Sequence, residues 1–495
     1  MASITRLSGH GLAHLLPDLT ASPGPRYAGL AQAITSLLLD GRIAPGTRLP
    51  SERELATSLG LSRATVTTAY DALRSDGILV SRTGSGSVVA LPQRGAEMDN
   101  RWRRSVLLAP ARTPGLLSPT SPSGSHEAGL VDLSCAIFPA PPALGPAVDA
   151  AAGRMRDHLG GSGYEPWGLR ALRSAIAERF TGRGVPTTAD QILITNGAQH
   201  GIDLVLRLLI GPGDRVLTEL PTYSGLLDAV RGTGARTVAV PVAPDGGWQL
   251  APMVAALRQS APKLAALVPD FHNPTGALVP SEDRREFVRA ATRAGTTVLV
   301  DESFVDLGFI DPQLPTAALD RSVITVGSLS KPVWGGLRIG WVRASAELIQ
   351  RLVVVRACID MGQSVFDQLV ALEIFPQLDA IAADRREVVR PQRDFLAETL
   401  AARFPAWRFR RPDGGLSLWV ELDSPVATPL TVRAAHYGLR IVAGSRFGID
   451  GTMERFLRLP YALPLAELRL AVDRLTMAWA ELDPSATGYS PLIVA

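Results

Sequence analysis

Lysine is nearly absent from this chain. Of its 50 basic residues only Lys263 and Lys331 are lysines. A guanidinium cannot form an imine, whereas an ammonium can shift its pKa and attack a carbonyl. Side-chain amine chemistry is therefore confined to two positions. Cysteine is as scarce: Cys135 and Cys358 lie far apart and fit no metal or redox spacing. Inert thiols in a reducing compartment follow. No run approaches 18 apolar residues, the length a membrane helix needs. The N-terminus lacks a basic stretch leading into an apolar one. Those absences predict a cytoplasmic protein with no membrane partner. Net charge is also small, at +3, so no global field recruits nucleic acid. The excess is local: 13 basic against 8 acidic residues over 1–112 give +5, and the remainder gives −2. At 495 residues, 46% hydrophobic and 20% charged, the chain has room for two or three domains with large cores.

What is present centres on Lys331. An apolar run, Ser322 to Val326, reads as a buried strand, and the polar turn after it sits at the strand's C-terminal end. Two hydroxyls, Ser328 and Ser330, then Lys331, then Arg338 seven residues on, suit an organic phosphate beside an amine nucleophile. S-x-S-K followed by G-x-R-x-G resembles the cofactor-lysine motif of the aspartate-aminotransferase-like (fold type I) pyridoxal-phosphate proteins.

The N-terminal part has a different pattern. Leu30, Ile34, Leu37 and Leu38 repeat at helical spacing, with Gly41 as the stop. Ser51 with Glu54 three residues on predicts a capping box and a helix that ends at Gly60. Ser62 caps a third helix, Arg63 to Ser75, whose Val66, Ala69, Tyr70 and Leu73 form one apolar stripe that Gly77 terminates. A hairpin follows, Ile78–Arg82 and Ser87–Ala90 around a glycine-rich tip. Helix-turn-helix plus hairpin makes a winged helix. Through P-S-E-R-E-L-A, S-R-x-T-V and the G-S-G wing, this stretch resembles the GntR-type DNA-binding domain, placed at 22–91. Arg53 and Arg63 start the second and third helices, within reach of phosphates or a guanine edge. Ser62, Thr65 and Thr67 offer short hydroxyls at the recognition-helix N-terminus, and Arg82 and Gly84 let the wing lie on the backbone. The expected partner is a double-stranded DNA operator.

Residues 92–130, rich in Pro, Ser and Gly, read as a linker. From 131 to 482 strand-like runs alternate with helical stretches, at Gln191–Thr195, Arg215–Glu219, Leu264–Pro269, Thr297–Asp301 and Ser322–Gly327. That alternation predicts a mostly parallel α/β sheet with ligands at the strands' C-terminal ends. Asn196–Gln199, Pro221–Tyr223, Phe271–Gly276 and Asp301–Ser303 all fall there. Singly, each is better explained as a turn, a core aromatic or a helix cap. Together, in this order, they resemble the fold type I pattern across some 350 residues.

That resemblance implies roles. Lys331 would hold pyridoxal 5'-phosphate covalently and be the catalytic residue. Asp301 would pair with the pyridinium nitrogen, Asn273 with the ring's 3-oxygen, and Tyr223 would stack on the ring. Gly197, Ala198 and Gln199, with Ser328, Ser330 and Arg338, would hold the phosphate. Tyr164 matches the tyrosine that reaches the neighbour's phosphate in the dimer. Arg458 matches the arginine that clamps a substrate carboxylate. No metal is implied. One departure stands out: the family's tyrosine two or three residues after the aspartate is replaced by Ser303 and Phe304, so the phenol that would tune the lysine nitrogen's proton is missing.

A winged helix tethered to an aminotransferase-like domain, large and small lobes together, resembles the MocR/GabR-type transcription regulators over nearly the whole chain. S-L-S-K-x-x-W-G-G-L-R-I-G-W and D-F-H-N-P-T-G are most similar to the YczR branch. The resemblance implies a head-to-tail homodimer, each winged helix on its partner's large domain, that senses an amine, an amino acid or a B6 vitamer. The competing class is a working aminotransferase with a DNA-binding head. The missing phenol favours the sensor.

Overall fold

The computed structural model describes residues 7–16, 25–39, 43, 47–82, 86–89, 129–243, 246–311, 313–449 and 452–482. The Gly41 stop, Gly84 at the wing tip and most of the expected linker, 92–128, lie outside them.

Among the described residues the head holds four helices and a hairpin. They are α1 (Gly9–Leu15), α2 (Arg26–Leu39), α3 (Glu52–Leu59), α4 (Arg63–Ser75), β1 (Leu79–Arg82) and β2 (Gly86–Val89). Ser51 and Ser62 cap α3 and α4 with their hydroxyls, and Gly60 ends α3 at φ +63°. The stripe Val66, Ala69, Tyr70 and Leu73 is buried, with Leu30, Ile34 and Leu55 beside it. The capping box at Ser51 departs from expectation. Glu54 turns away to accept from the Gly9 N–H at 2.8 Å, because α1 docks on α3 and its first amide needs an acceptor.

The large domain is built on a seven-stranded sheet in the order β4-β10-β9-β8-β7-β5-β6. After the short β3 (Val131–Asp132), its strands are β4 (Ile192–Thr195), β5 (Arg215–Leu220), β6 (Arg236–Pro241), β7 (Leu264–Leu267), β8 (Thr297–Asp301), β9 (Ile324–Ser328) and β10 (Gly340–Arg343). β4, β7, β9 and β10 are buried throughout. That is why the central strands read as unbroken apolar runs. Only β10 runs antiparallel to its neighbours, β9 and β4. It and the edge strand β6 escaped the sequence reading, β10 because four residues behind a glycine-rich turn carry little strand signal. Separate apolar cores cover the two faces of the sheet.

Of the helices around the sheet, α5 (Gly197–Leu209) follows β4 and α6 (Ala346–Ala357) follows β10. The long α7 (Leu378–Arg403) belongs to both lobes: Leu378 and Ile381 pack in the large-domain core, Val389, Leu396 and Leu400 in the small one. The small domain adds β11 (Arg408–Phe409), β12 (Ser417–Glu421), α8 (Ala427–His436), β13 (Leu439–Arg440), β14 (Val442–Ala443), β15 (Phe456–Pro460) and α9 (Leu465–Ala480). Its sheet runs β11-β12-β15-β14, while β13 pairs with β3. Phe404 stacks on Trp407 at 4.0 Å between centroids, and Trp479 closes edge-on.

The head rests on this small domain. Asp76, the C-cap of α4, pairs with Arg433 of α8 at 3.1 Å, and Gln32 of α2 donates to the Pro425 carbonyl just before α8.

Candidate functional site

The turns leaving β4, β5, β7, β8 and β9 converge at one end of the sheet, where open α/β sheets place ligands. Lys331 follows β9. Its ammonium donates to the Ala136 carbonyl at 3.0 Å and lies 5.4 Å from the Phe304 ring centroid. Burial lowers its pKa to about 8; Arg458 and Arg338 add to the fall, while Cys135 and Asp301 oppose it. Such an amine is neutral far more often than a surface lysine.

Asp301 ends β8 and accepts from the Ser303 N–H at 2.8 Å. Burial raises its pKa, and the Ser303 bonds and Lys331 pull it back. Tyr223, just before the helix after β5, has its phenol pushed up by burial and feels both Asp301 and Arg458. Arg458, on β15 of the small domain, donates to the Ser134 carbonyl and lies 4.9 Å over the Phe447 ring. Burial lowers its pKa.

Beside Lys331 the backbone forms a cup. Gly197 opens α5 at φ +76°, and a Cβ there would meet the Arg338 guanidinium at 3.0 Å. Gly340 comes closer still: its Cβ would fall 2.4 Å from the Gly197 carbonyl carbon. Arg338 sits at φ +53° and donates to the Asn196 carbonyl at 2.6 Å. The Ser328 hydroxyl donates to that of Ser330 at 2.8 Å. Free amides at a helix start, two hydroxyls and a guanidinium are a set of donors that suits a phosphate. Gln199 binds the Gly225 carbonyl through its amide nitrogen at 3.0 Å, while its oxygen is buried without a partner. The Arg458 Nε is likewise buried and unpartnered. These residues fit pyridoxal phosphate: an amine of lowered pKa, a carboxylate, a phosphate cup and a spare guanidinium edge.

Asn273 is half-buried in the turn after β7. That turn is braced by a buried ion pair, Arg284 with Asp270 at 2.8 Å, which sequence reading missed. Tyr164 stands outside the cluster, 63% exposed. Also missed was the segment Ser134–Ala136, whose carbonyl oxygens engage Arg458 and Lys331; backbone contacts leave no side-chain pattern.

On the head, Arg53, Ser62 and Arg63 are exposed at the starts of α3 and α4, with Thr65 beside them. Ser62 and Thr65 bond each other through their hydroxyls at 2.8 Å. Thr67, the fourth residue expected on this face, lies half-buried on α4. Its hydroxyl donates to Glu52 at 2.8 Å, in the seam between the two helices. Arg82 ends β1.

Residues 26–89 match the family "Bacterial regulatory proteins, gntR family", and residues 144–475 match "Aminotransferase class I and II". The HTH-type transcriptional regulator TauR of Rhodobacter capsulatus is 30% identical over 88% of this chain and 92% of its own length. The chain belongs to the MocR-type regulators. Another relative, the uncharacterized HTH-type regulator YisV of Bacillus subtilis, is 28% identical over 88% of the MocR-type chain and 92% of its own. The crystal structure of LysN, the alpha-aminoadipate aminotransferase of Thermus thermophilus, superposes with a TM-score of 0.66 at 29% identity. It covers 72% of this chain and 93% of LysN, and carries N-(5'-phosphopyridoxyl)-L-leucine. This MocR-type chain is thus an HTH-type transcriptional regulator with a fold type I aminotransferase-like domain. Among the described residues no helix is long and apolar enough to cross a membrane.

Proposed function

We propose that this regulator binds pyridoxal phosphate on Lys331 and uses it to sense an amine, an amino acid or the vitamin itself in the cytoplasm. The observation that carries the reading is the setting of Lys331. One of only two lysines in the chain, it has its pKa lowered to about 8 between Asp301 and Arg458, next to a donor-lined cup. When bound, the cofactor supplies an aldehyde carbon for amines and an electron-withdrawing ring. The chain's own residues do the rest. Gly197, Ala198, Gln199, Ser328, Ser330 and Arg338 hold the phosphate. Asp301 keeps a proton on the ring nitrogen, Asn273 binds the 3-oxygen and Tyr223 covers the ring. Arg458 turns from the Ser134 carbonyl to a ligand carboxylate.

Arg53 and Arg63, with Ser62, Thr65, Arg82 and Gly84, meet operator DNA. Within the family, the wording around Lys331 and Asn273 favours the YczR branch. Exposed Tyr164, Trp167, Ile359 and Met361 suit a homodimer surface on which Tyr164 reaches the neighbour's phosphate. The dimer is head-to-tail, each winged helix on its partner's large domain, while Asp76–Arg433 ties the head to the small domain of its own chain. Ligand capture by Arg458, on the small domain, would move the lobe on which the head rests.

The likeness to LysN and the presence of both Lys331 and Arg458 favour a second reading, an aminotransferase with a DNA-binding head. One experiment separates them. The protein is mixed with a panel of amino acids and an acceptor keto acid, and both operator affinity and keto-acid product are measured. A changed affinity or visible spectrum with product at trace levels supports the sensor. Sustained turnover, on the order of 1 per second or faster, supports the enzyme.

A further inference from the structure

Behind the cup lies an ion pair that the scheme above does not use. Arg356, near the end of α6, is fully buried, and its Nε donates to Asp360 Oδ1 at 2.8 Å. The same carboxylate reaches two loops. Through Oδ2 it accepts from the Asn196 side-chain amide at 3.0 Å, and Asn196 is the residue before Gly197. The Asn196 carbonyl takes the Arg338 guanidinium at 2.6 Å, and Gln363 holds the Arg338 carbonyl at 3.0 Å. In the other direction, the Arg356 Nη1 donates to the Pro166 carbonyl at 3.1 Å and to the Ile194 carbonyl. Asp360 Oδ1 accepts from the Gly362 N–H at 3.2 Å, and Gly362 abuts the Glu165 carbonyl so closely that a Cβ would fall 2.8 Å from it. Glu165 and Pro166 directly follow Tyr164.

We propose that the Arg356–Asp360 pair is a positioning device that ties the phosphate cup of one protomer to the loop carrying its Tyr164. The inference rests on the reading that the cup holds pyridoxal phosphate and that Tyr164 serves the neighbouring site. A buried guanidinium must keep its carboxylate, so the pair cannot swing freely, and the loops bonded to it share its geometry. Filling one cup then orders the Tyr164 that completes the other, which couples the two sites. Asp360 and Arg356 touch no ligand; they act through Asn196, Arg338 and Tyr164.

The test uses the full-length protein freed of cofactor and titrated with pyridoxal phosphate and, separately, with pyridoxal. A device that acts through the cup affects only the ligand that has a phosphate. Asp360→Asn is expected to weaken pyridoxal phosphate binding by about tenfold, the scale of one charge-assisted bond, with pyridoxal binding kept. Combined with Tyr164→Phe, it is expected to lose less than the product of the two single losses. Equal loss for both ligands, or unchanged binding of both, overturns the proposal and leaves the cofactor reading standing. A wild-type protein that takes up neither ligand overturns the cofactor reading and this proposal with it. If Asp360→Asn does not fold, Asn196→Ala cuts the same link with the ion pair intact. The same phosphate-specific loss is expected there, and its absence is equally decisive.

Discussion

The Lys331 ammonium lies 5.4 Å from the Phe304 ring centroid, with its hydrogen bond spent on the Ala136 carbonyl at 3.0 Å. Phe304 thus occupies the neighbourhood in which the resemblance leads one to expect a phenol. A ring face can hold a cation, but it offers no hydrogen bond to an oxygen anion.

Cofactor uptake should therefore follow the titration of Lys331. The amine attacks only when neutral, and its pKa is lowered to about 8, chiefly by burial. Uptake of pyridoxal phosphate by the cofactor-free protein should quicken as pH rises toward about 8 and then level off. Lys331→Ala should abolish stable uptake. The same shift fixes a sign for stability. Below about 8 the lysine is charged whether folded or unfolded, and the folded state bears the full burial cost. Between about 8 and the ordinary 10.5 only the unfolded chain holds the proton, so stability from this group rises with pH. Rapid-mixing absorbance across a pH series checks the first, and Lys331→Met melting curves the second. Uptake flat from pH 6 to 9 would falsify the assignment.

Phe304→Tyr should move the protein toward catalysis. A phenol bonded to a charged oxygen is worth about 1.5–3 kcal/mol. Keto-acid product per site should accordingly rise by about tenfold or more, with cofactor retention unchanged. Product that stays at the wild-type level would mean that the phenol is not what limits turnover.

The legible parts of this protein were those with a repeating or chemically rare signal. Strands buried on both faces read as apolar runs, so β8 was found at its true bounds and β9 nearly so. Lys331 stands out because arginine has replaced lysine almost everywhere else. What stayed hidden was carried by the backbone or by burial. α1 is seven residues long, and it docks through the Gly9 amide on Glu54, which no periodicity reveals. Arg356 and Asp360, four residues apart, look like a surface helix pair, yet Arg356 is fully buried. The bond from the Thr67 hydroxyl to Glu52, fifteen residues earlier, has no sequence signal either.

The turn that carries Asn273 depends on Asp270. Arg284 is wholly buried and gives two bonds to that carboxylate, at 2.8 and 3.1 Å, and two more to the Pro269 and Val279 carbonyls. Asp270→Ala would strand the guanidinium in the core, a loss of about 3–5 kcal/mol. Denaturant unfolding measures it. A variant as stable as wild type would show that the pair does not brace the turn.

On the head, the two arginines should separate into different kinds of contact. Arg63 is the first residue of α4, capped by Ser62, and its side chain is exposed. A recognition helix presents its N-terminal residues to base edges, so Arg63→Ala should cost the cognate operator about 1–3 kcal/mol and relax specificity at one base pair. Arg53 is exposed on the first turn of α3, and in helix-turn-helix motifs that first helix crosses the DNA backbone. Arg53→Ala should weaken all sequences alike and lower the salt dependence by about one counterion. Thr67→Val should act otherwise again: removing the bond to Glu52 should lower the melting temperature of the head and leave base preference intact. Competition titrations of operator and scrambled DNA at several salt concentrations distinguish the three. Arg63→Ala and Arg53→Ala giving the same uniform loss would mean that α4 does not lie in the major groove with its N-terminus toward the bases.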